Sequence, residues 1–557
     1  MNRQNDTSYT AAAEHMTAAQ VGKVYQHEFS PSEDADKSPA RTSDGYLTSA
    51  EYLRAAMKNI SADSTADAIK LNFHHPVEDW LRKKWVRRIL GAISRPDEKG
   101  HTRLERILRS YRNPHAGVWS RIKYLPIHFA ISRLVGPKGW DDFRHRSKQF
   151  GATVRGLNVV ARSIAEFGLT VPQKFTSPLF VVWNFTNICN LRCKHCYQDS
   201  EHSTLADELT LEEKLDFVDQ MGRLNIPMLA ISGGEPTLSK DLIPVIKRAR
   251  EYDMHISLAT NGTTMTPQRA VELRDAGLRY VEISLDSTKP ERHDAFRGIA
   301  GMWEKTVQGM RNVVATDGLR LGVAMCVHQG NIDEVRDMIK FAEEEIGASC
   351  LAHFNFIPVG RGLKMVSGDI TPSQREELLA ILNEKMQAGG MGIISTAPQL
   401  GRVCLAGAAV DDGVVTCSHA GGGSGVKARV VAKYLGGCGA GRCYIAAEPN
   451  GNITPCVYLP HRVMGNVREK PLERIFRESV FWEILNDRKR RLGHCEVCAF
   501  SDYCGGCRAR ADAYFGKLHA ADPGCIFNQK HWDKLVEDGI AIVETESADA
   551  KTEISSQ

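Results

Sequence analysis

From about residue 176 onward, short apolar runs rich in β-branched residues alternate with amphipathic stretches of helical length. The runs Leu179–Asn184, Met228–Ser232, Ile256–Thr260, Tyr280–Asp286, Leu321–Val327 and His353–Ile357 predict strands. The stretches near 210–223, 240–252, 267–276, 304–315, 331–346 and 372–388 predict the helices between and after them. Six such alternations predict an α/β fold, a parallel sheet covered by helices, either barrel or doubly wound. In a barrel the chemistry gathers on loops after the carboxyl ends of the strands, and the unusual residues of this chain fall there.

Upstream the pattern changes. Residues 1–70 are polar, rich in Ser, Thr, Asp and Ala, with one short helical stretch around Ser49–Asn59, and read as a mobile polar tail. Residues 71–175 read as a mainly helical extension holding Trp80, Trp85, Trp119 and Trp140. On a helical wheel Trp80, Leu81, Trp85, Ile89, Leu90 and Ile93 share one side, Lys83, Lys84, Arg87 and Arg88 lie opposite, and Arg82 intrudes on the apolar arc. Such a helix packs on the catalytic domain or presents itself to a membrane surface or an acidic partner.

Charge sharpens that contrast. The chain carries a net +4, yet residues 71–175 hold 21 Lys+Arg against 8 Asp+Glu, so the remainder is net negative. No recognised nucleic-acid motif accompanies the basic segment, which argues against a nucleic-acid partner. At 557 residues the chain exceeds one ordinary domain. With 42% hydrophobic and 25% charged residues it has the composition of a soluble globular protein. It shows no transmembrane-length apolar run and no signal-type apolar core after Met1, so a cytoplasmic location with reduced thiols is expected, with peripheral membrane contact through 71–175 as the variant.

Fifteen cysteines are then the anomaly. Three sit in the loop after the first strand, in C-N-L-R-C-K-H-C-Y, as Cys189, Cys193 and Cys196. Thiolates at this spacing can occupy three corners of a 4Fe-4S cubane and leave one iron open. By spacing alone, a zinc site with His195 as fourth ligand or a ferredoxin-type segment fits as well. Eight more run from Cys438 through Cys443, Cys456, Cys495, Cys498, Cys504 and Cys507 to Cys525, enough for two four-thiolate sites of iron–sulfur or zinc type. Cys326 and Cys350 fall in or beside strands and read as core thiols, while Cys404 and Cys417 flank a Gly-rich linker.

The three-cysteine loop, closed by the aromatic Tyr197, resembles that of the radical S-adenosylmethionine (SAM) superfamily. The resemblance extends across the predicted barrel. It implies a partial (β/α)6 radical SAM barrel over 176–400, with SAM on the open iron of the first cluster. It further implies that Gly233, Gly234, Glu235 and Pro236, after the second strand, hold the SAM amino group. Thr260 and Asn261 follow the third strand, Ser284 and Asp286 lie on the fourth, and by the resemblance Ser284 and Arg297, in HDAFRG, meet the SAM carboxylate.

The C-terminal array is similar to the SPASM extension of that superfamily, which implies an auxiliary-cluster domain over 401–530 followed by a C-terminal helix and tail over 531–557. By that resemblance Cys438, Cys443, Cys456 and Cys507 hold the nearer cluster, and Cys495, Cys498, Cys504 and Cys525 the outer one, making three 4Fe-4S clusters in all. Two residues separate Cys504 from Cys507, where many members have three. The resemblance also implies a small-molecule or peptide substrate and a reducing electron donor of flavodoxin or ferredoxin type. The segments around Cys438–Pro460, Gly465–Phe476 and Cys504–Gly516, with Pro358–Gly362, resemble the enzymes of alternative haem and haem d1 formation. They imply oxidative side-chain modification of a tetrapyrrole, with a peptide, protein or lipid maturase as the alternative. A non-catalytic iron–sulfur or zinc scaffold is the reading of another class, against which the intact GGEP, Ser284 and Arg297 positions speak.

Overall fold

The computed structural model describes residues 74–97, 100–112, 150–407, 414–416 and 422–541. The predicted helix at Ser49–Asn59, the residues Trp119, Trp140 and Cys417, and the tail after 541 lie outside the described residues.

Strands β1 (Phe180–Asn184), β2 (Met228–Ser232), β3 (His255–Thr260), β4 (Tyr280–Ser284), β5 (Arg320–Val327), β6 (Cys350–Asn355) and β7 (Gly392–Ser395) form one parallel run in chain order. Five of the six expected strands fall within two residues of expectation; β6 begins three residues earlier than its apolar run suggested, and β7 is an addition. The pair β8 (Val414–Thr416) and β9 (Gly422–Ser424) forms a separate hairpin. The main sheet continues beyond β1 through β10 (Tyr444–Ala447), β11 (Asn452–Thr454) and β12 (Gly465–Asn466). β10 runs parallel to β1 with Ala447 opposite Trp183, while β11 and β12 are antiparallel. The cysteine-rich region is therefore hydrogen-bonded directly to the barrel's first strand.

Local sequence explains the crossovers. Thr210 caps the helix Leu211–Arg223 in a reciprocal box with Glu213, Thr266 and Pro267 open Pro267–Ala276, and Thr371 with Gln374 boxes Pro372–Ala388. Each helix lays apolar residues on one face of the sheet. Phe217, Val218 and Met221 pack with Val181, Trp183, Leu229 and Ile231 in a single core. Full burial of side chains this size stabilises by roughly 1.5–3 kcal/mol each. The alternate strand residues, among them Val182, Asn184, Ser232, Glu282 and Ser284, face the opposite, concave side.

The N-terminal extension is helical as expected but differently built. A first helix, Pro76–Arg82, stops at Lys83, whose extended backbone breaks it from the next, Lys84–Ser94. The expected apolar face is thereby split. Leu90 and Ile93 pack against Leu104, Leu108, Val154 and Ala161, whereas Trp85 and Ile89 remain 52% and 49% exposed, with Trp80 edge-on to Trp85. Arg87, expected on the solvated basic side, instead donates to the carbonyls of Ile164, Ala165 and Glu166 at the end of helix Phe150–Phe167. That helix is stapled to the barrel by Arg155, which reaches Gly222 O at 2.7 Å and Ile226 O at 3.1 Å. These carbonyls precede β2, so this contact lies at the amino end of the strands, opposite the loops that carry the candidate site. No helix among the described residues is long and apolar enough to cross a membrane.

Candidate functional site

The loop Cys189–Cys196 leaves β1 and is clamped from three sides. Beneath it, the Gly234 and Glu235 amides donate to Thr186 O and Ile188 O, each at 2.8 Å. That approach requires glycine, since a Cβ on Gly234 would stand 2.2 Å from Ile188 O. Beside it, the Arg192 and Lys194 amides donate to Arg297 O and Phe296 O. Above it, Arg361 gives its amide to Cys196 O and its Nε to Cys193 O, both at 2.9 Å. The preceding Gly360, at φ +57°, comes so near that a Cβ would meet Cys196 O at 2.5 Å. The Pro358–Gly362 segment is thus a brace for the thiol loop.

Cys189 and Cys193 are buried and Cys196 half-buried. Burial pushes the Cys189 thiol up to about 12, and it raises Cys193 too, against the pull of the Arg297 guanidinium 3.8 Å from its sulfur. As free groups these thiols would stay protonated; a metal removes the proton. Donors already point at the sulfurs, Leu191 N on Cys189 at 3.4 Å and Arg297 Nη1 on Cys193. Amide and guanidinium donors on the sulfurs of one loop are what iron–sulfur ligation uses, so the residues present fit such a group.

Glu235 is fully buried, and its carboxylate is taken up by the chain: Thr237 N and Oγ1, Thr260 Oγ1 at 2.7 Å and Asn261 N at 2.8 Å. It ties the loop after β2 to the loop after β3, which places the backbone of Gly233–Pro236, rather than this carboxylate, toward the thiol loop. Asn261 in turn donates to Asn190 Oδ1 at 2.8 Å, joining the third loop to the first. Ser284 ends β4 half-buried. Asp286 receives Arg297 Nε at 2.7 Å and the Cys326 amide at 2.9 Å. Burial raises the Asp286 carboxyl, but Arg297, His195 and His293 outweigh it and hold the group down to about 2. Asp286 therefore anchors Arg297, and Arg297 faces the thiols.

Several contacts within the site gave no sequence signal because the partners are distant in the chain. His195, Phe296 and His328 form a ring stack with centroids 4.1 and 4.2 Å apart. Burial holds His195 down to about 3, hence neutral, and its Nδ1 is buried without a partner. The Tyr197 hydroxyl bonds Asn184 Oδ1 at 3.0 Å and Ser232 Oγ at 3.2 Å, while its ring meets Tyr458 edge-on at 5.2 Å. Tyr458 follows Cys456 by two residues, so this pair links the first thiol loop to the C-terminal array. Asn184 also donates to Glu448 at 3.0 Å; burial pushes that carboxyl up to about 7, and its Oε1 has no partner.

Within the array Cys438, Cys456 and Cys507 lie within electrostatic reach of one another, as do Cys495, Cys498, Cys504 and Cys525, and the Cys438 amide joins the two sets through Cys504 O. Cys443 lies at the foot of β10, its sulfur 3.9 Å from Gly439 O. Burial raises all five of Cys456, Cys498, Cys504, Cys507 and Cys525, to about 11 for Cys498 and about 12 for Cys507. Amide donors again face sulfur: Asn528 Nδ2 on Cys495 at 3.3 Å, Gly506 N on Cys504 and Arg510 N on Cys507, both at 3.4 Å. Among the described residues no group of three His, Cys, Asp or Glu side chains is placed to hold a single metal ion.

A parallel barrel with a three-thiol loop braced at the mouth of its first strands, joined to a cysteine-rich C-terminal unit, defines a class. Residues 183–342 match the radical SAM superfamily and residues 438–499 the SPASM iron–sulfur cluster-binding domain. The chain belongs to the radical SAM superfamily and carries a SPASM domain, so iron–sulfur clusters and SAM are its cofactors. It is 31% identical over 354 residues to an AdoMet-dependent heme synthase of Methanosarcina barkeri, covering 63% of this chain and 97% of that one. It is 26% identical over 360 residues to the mycofactocin maturase MftC of Mycobacterium tuberculosis, covering 63% of this chain and 83% of that one. Among solved structures, SuiB of Streptococcus suis bound to S-adenosylmethionine shares the fold, with a TM-score of 0.53 at 12% identity over 76% of this chain and 92% of that one.

Proposed function

We propose that this enzyme cleaves SAM reductively and uses the radical released to oxidise a side chain of a tetrapyrrole. The observation that carries the reading is the convergence, at the carboxyl ends of four successive strands, of the thiol loop, Gly233–Pro236, Thr260–Asn261 and the Asp286–Arg297 pair. In this reading Cys189, Cys193 and Cys196 hold a 4Fe-4S cluster, and Cys438, Cys443, Cys456 and Cys507 with Cys495, Cys498, Cys504 and Cys525 hold two more. The first cluster and SAM, when bound, supply methionine and a 5′-deoxyadenosyl radical able to take a hydrogen atom from the substrate. The chain's own part is to position and shield. Tyr197 and the Gly233–Pro236 backbone set the floor of the SAM site, Ser284 and Arg297 meet its carboxylate, and Asp286 fixes the direction of Arg297. Glu235, through Thr260 and Asn261, keeps the loops from separating.

The identity to the heme synthase favours a tetrapyrrole; the lower identity to the peptide maturase supports a peptide as second reading. Reconstituted protein given SAM, reductant and a propionate-bearing tetrapyrrole is expected to release 5′-deoxyadenosine with loss of substrate carboxyl mass. SAM cleavage without any change in such tetrapyrroles, but with modification of a precursor peptide, would replace the first reading by the second. Cys193→Ala should abolish 5′-deoxyadenosine while most auxiliary iron remains; unchanged product would end the assignment of the first cluster. For the extension, exposed Arg82, Lys83, Lys84 and Arg88 beside Trp85 and Ile89 support contact with an anionic membrane surface.

A further inference from the structure

The C-terminal array is packed with buried positive charge. Arg442, Arg488, Arg491 and Arg508 are 0%, 7%, 3% and 1% exposed. Their neighbours Arg375, Arg402 and Arg510 pair with Asp369, Glu376 and again Asp369. Among the described residues the first four form no ion pair and bond only carbonyls. Arg442 and Arg488 share Gly436 O, at 3.0 and 2.6 Å; Arg488 also reaches Ser501 O, Arg508 the carbonyls of Leu518 and Ala520, and Arg491 that of Leu485. Arg442 Nε, Arg491 Nε and Nη1 and Arg508 Nη2 are buried with no partner.

Arg442, Arg488 and Arg508 lie at the seam between the two thiol sets, and Arg491, bonded to Leu485 O, lies within electrostatic reach of Arg508, Arg488, Cys438 and Cys495. Gly436 lies two residues before Cys438, whose amide donates to Cys504 O at 3.0 Å. A Cβ on Gly506 would stand 2.3 Å from Arg508 Nη2 and 3.2 Å from Cys495 Sγ, so the guanidinium and the sulfur flank one glycine. A guanidinium taken out of water without a counter-charge costs several kcal/mol, and four side by side repel one another as well. A four-thiolate iron–sulfur centre is net anionic and becomes more so when reduced, and cations close to it favour the reduced form.

We propose that Arg442, Arg488, Arg491 and Arg508 act together as a cationic seam that raises the reduction potential of the iron–sulfur centres held by the two C-terminal thiol sets. The inference rests on the auxiliary-cluster reading given above. It makes these arginines tuning residues, which touch neither substrate nor SAM.

The test is an EPR-monitored redox titration of the full-length, fully reconstituted protein as wild type, R491M, R508M and R491K, compared at equal iron content. R491M and R508M should shift the auxiliary centres to lower potential by at least a tenfold change in the oxidised-to-reduced ratio, 59 mV for a one-electron couple. R491K should restore most of the shift, and the first-loop cluster should not move. Full iron with unmoved auxiliary potentials in both methionine variants would overturn the proposal. Loss of auxiliary iron from R491M and R508M but not R491K would support the charge; loss from all three would overturn it in favour of packing. A wild-type protein with iron for one cluster only would instead overturn the auxiliary-cluster reading itself.

Discussion

Glu282 offers a perturbation whose size follows from its surroundings. It stands mid-strand in β4, between Ala259 of β3 and Gly322 of β5, on the concave face of the sheet. Its nearest polar contact is the Tyr280 hydroxyl at 3.5 Å, too long to replace water. Burial pushes its carboxyl from 4.5 up to about 7, with Tyr280 pulling back only slightly. The folded state thus holds the proton more tightly than the unfolded state. The contribution to stability is whole below the unfolded pKa and is lost as pH rises through about 7. The full swing is about 3 kcal/mol, of which about 2 kcal/mol falls between roughly pH 5.5 and 8.5. Glu282→Gln keeps the shape and removes the titration. Anaerobic thermal melts of both proteins across that range should show the variant gaining on the wild type by about 2 kcal/mol, or ~4–8 °C for a domain of 150–250 residues. A gap that stays constant with pH would refute the reasoning.

Three further outcomes are expected. Gly234→Ala forces its methyl into Ile188 O, so SAM affinity measured by calorimetry should fall at least about tenfold, roughly 1.4 kcal/mol, with auxiliary iron retained; normal affinity would show that the first two loops can part. Asp286→Asn strips the buried Arg297 of its counter-charge and should cost about 3–5 kcal/mol by thermal melting, together with SAM affinity; an unchanged melt would mean Arg297 finds another partner. Trp85→Ala with Ile89→Ala should weaken co-sedimentation with anionic vesicles, and equal binding by the double variant would return that surface to a packing role.

The barrel was legible because its strands are short, largely apolar runs and several of its helices carry their own caps, as with Thr210–Glu213 and Thr371–Gln374. β10 to β12 were not: they are two to four residues long, and their place beside β1 depends on pairing across more than 250 residues. The N-terminal helix was misjudged because nothing in the sequence marks the break at Lys83, which divides the apolar stripe and leaves Trp85 outside. Within the site, the contiguous motifs stood out, since the thiols, Gly233–Pro236 and Thr260–Asn261 each occupy a single loop. What orders them did not. Arg361 braces Cys193 from 168 residues away, Asn184 meets Glu448 across 264, and the His195–Phe296–His328 stack joins two separate loops and the helix Pro290–Arg297. Glu235 and Asp286 stood out in the sequence, but their work in tying loops and holding Arg297 is visible only in the fold.

The central claim is most directly tested by anaerobic reconstitution of the full-length protein, iron and sulfide counting, and incubation with SAM and a strong reductant, with 5′-deoxyadenosine as the readout. About twelve irons per chain together with that product is the expected result; zinc in place of iron, or a fully loaded protein that leaves SAM intact, would contradict it.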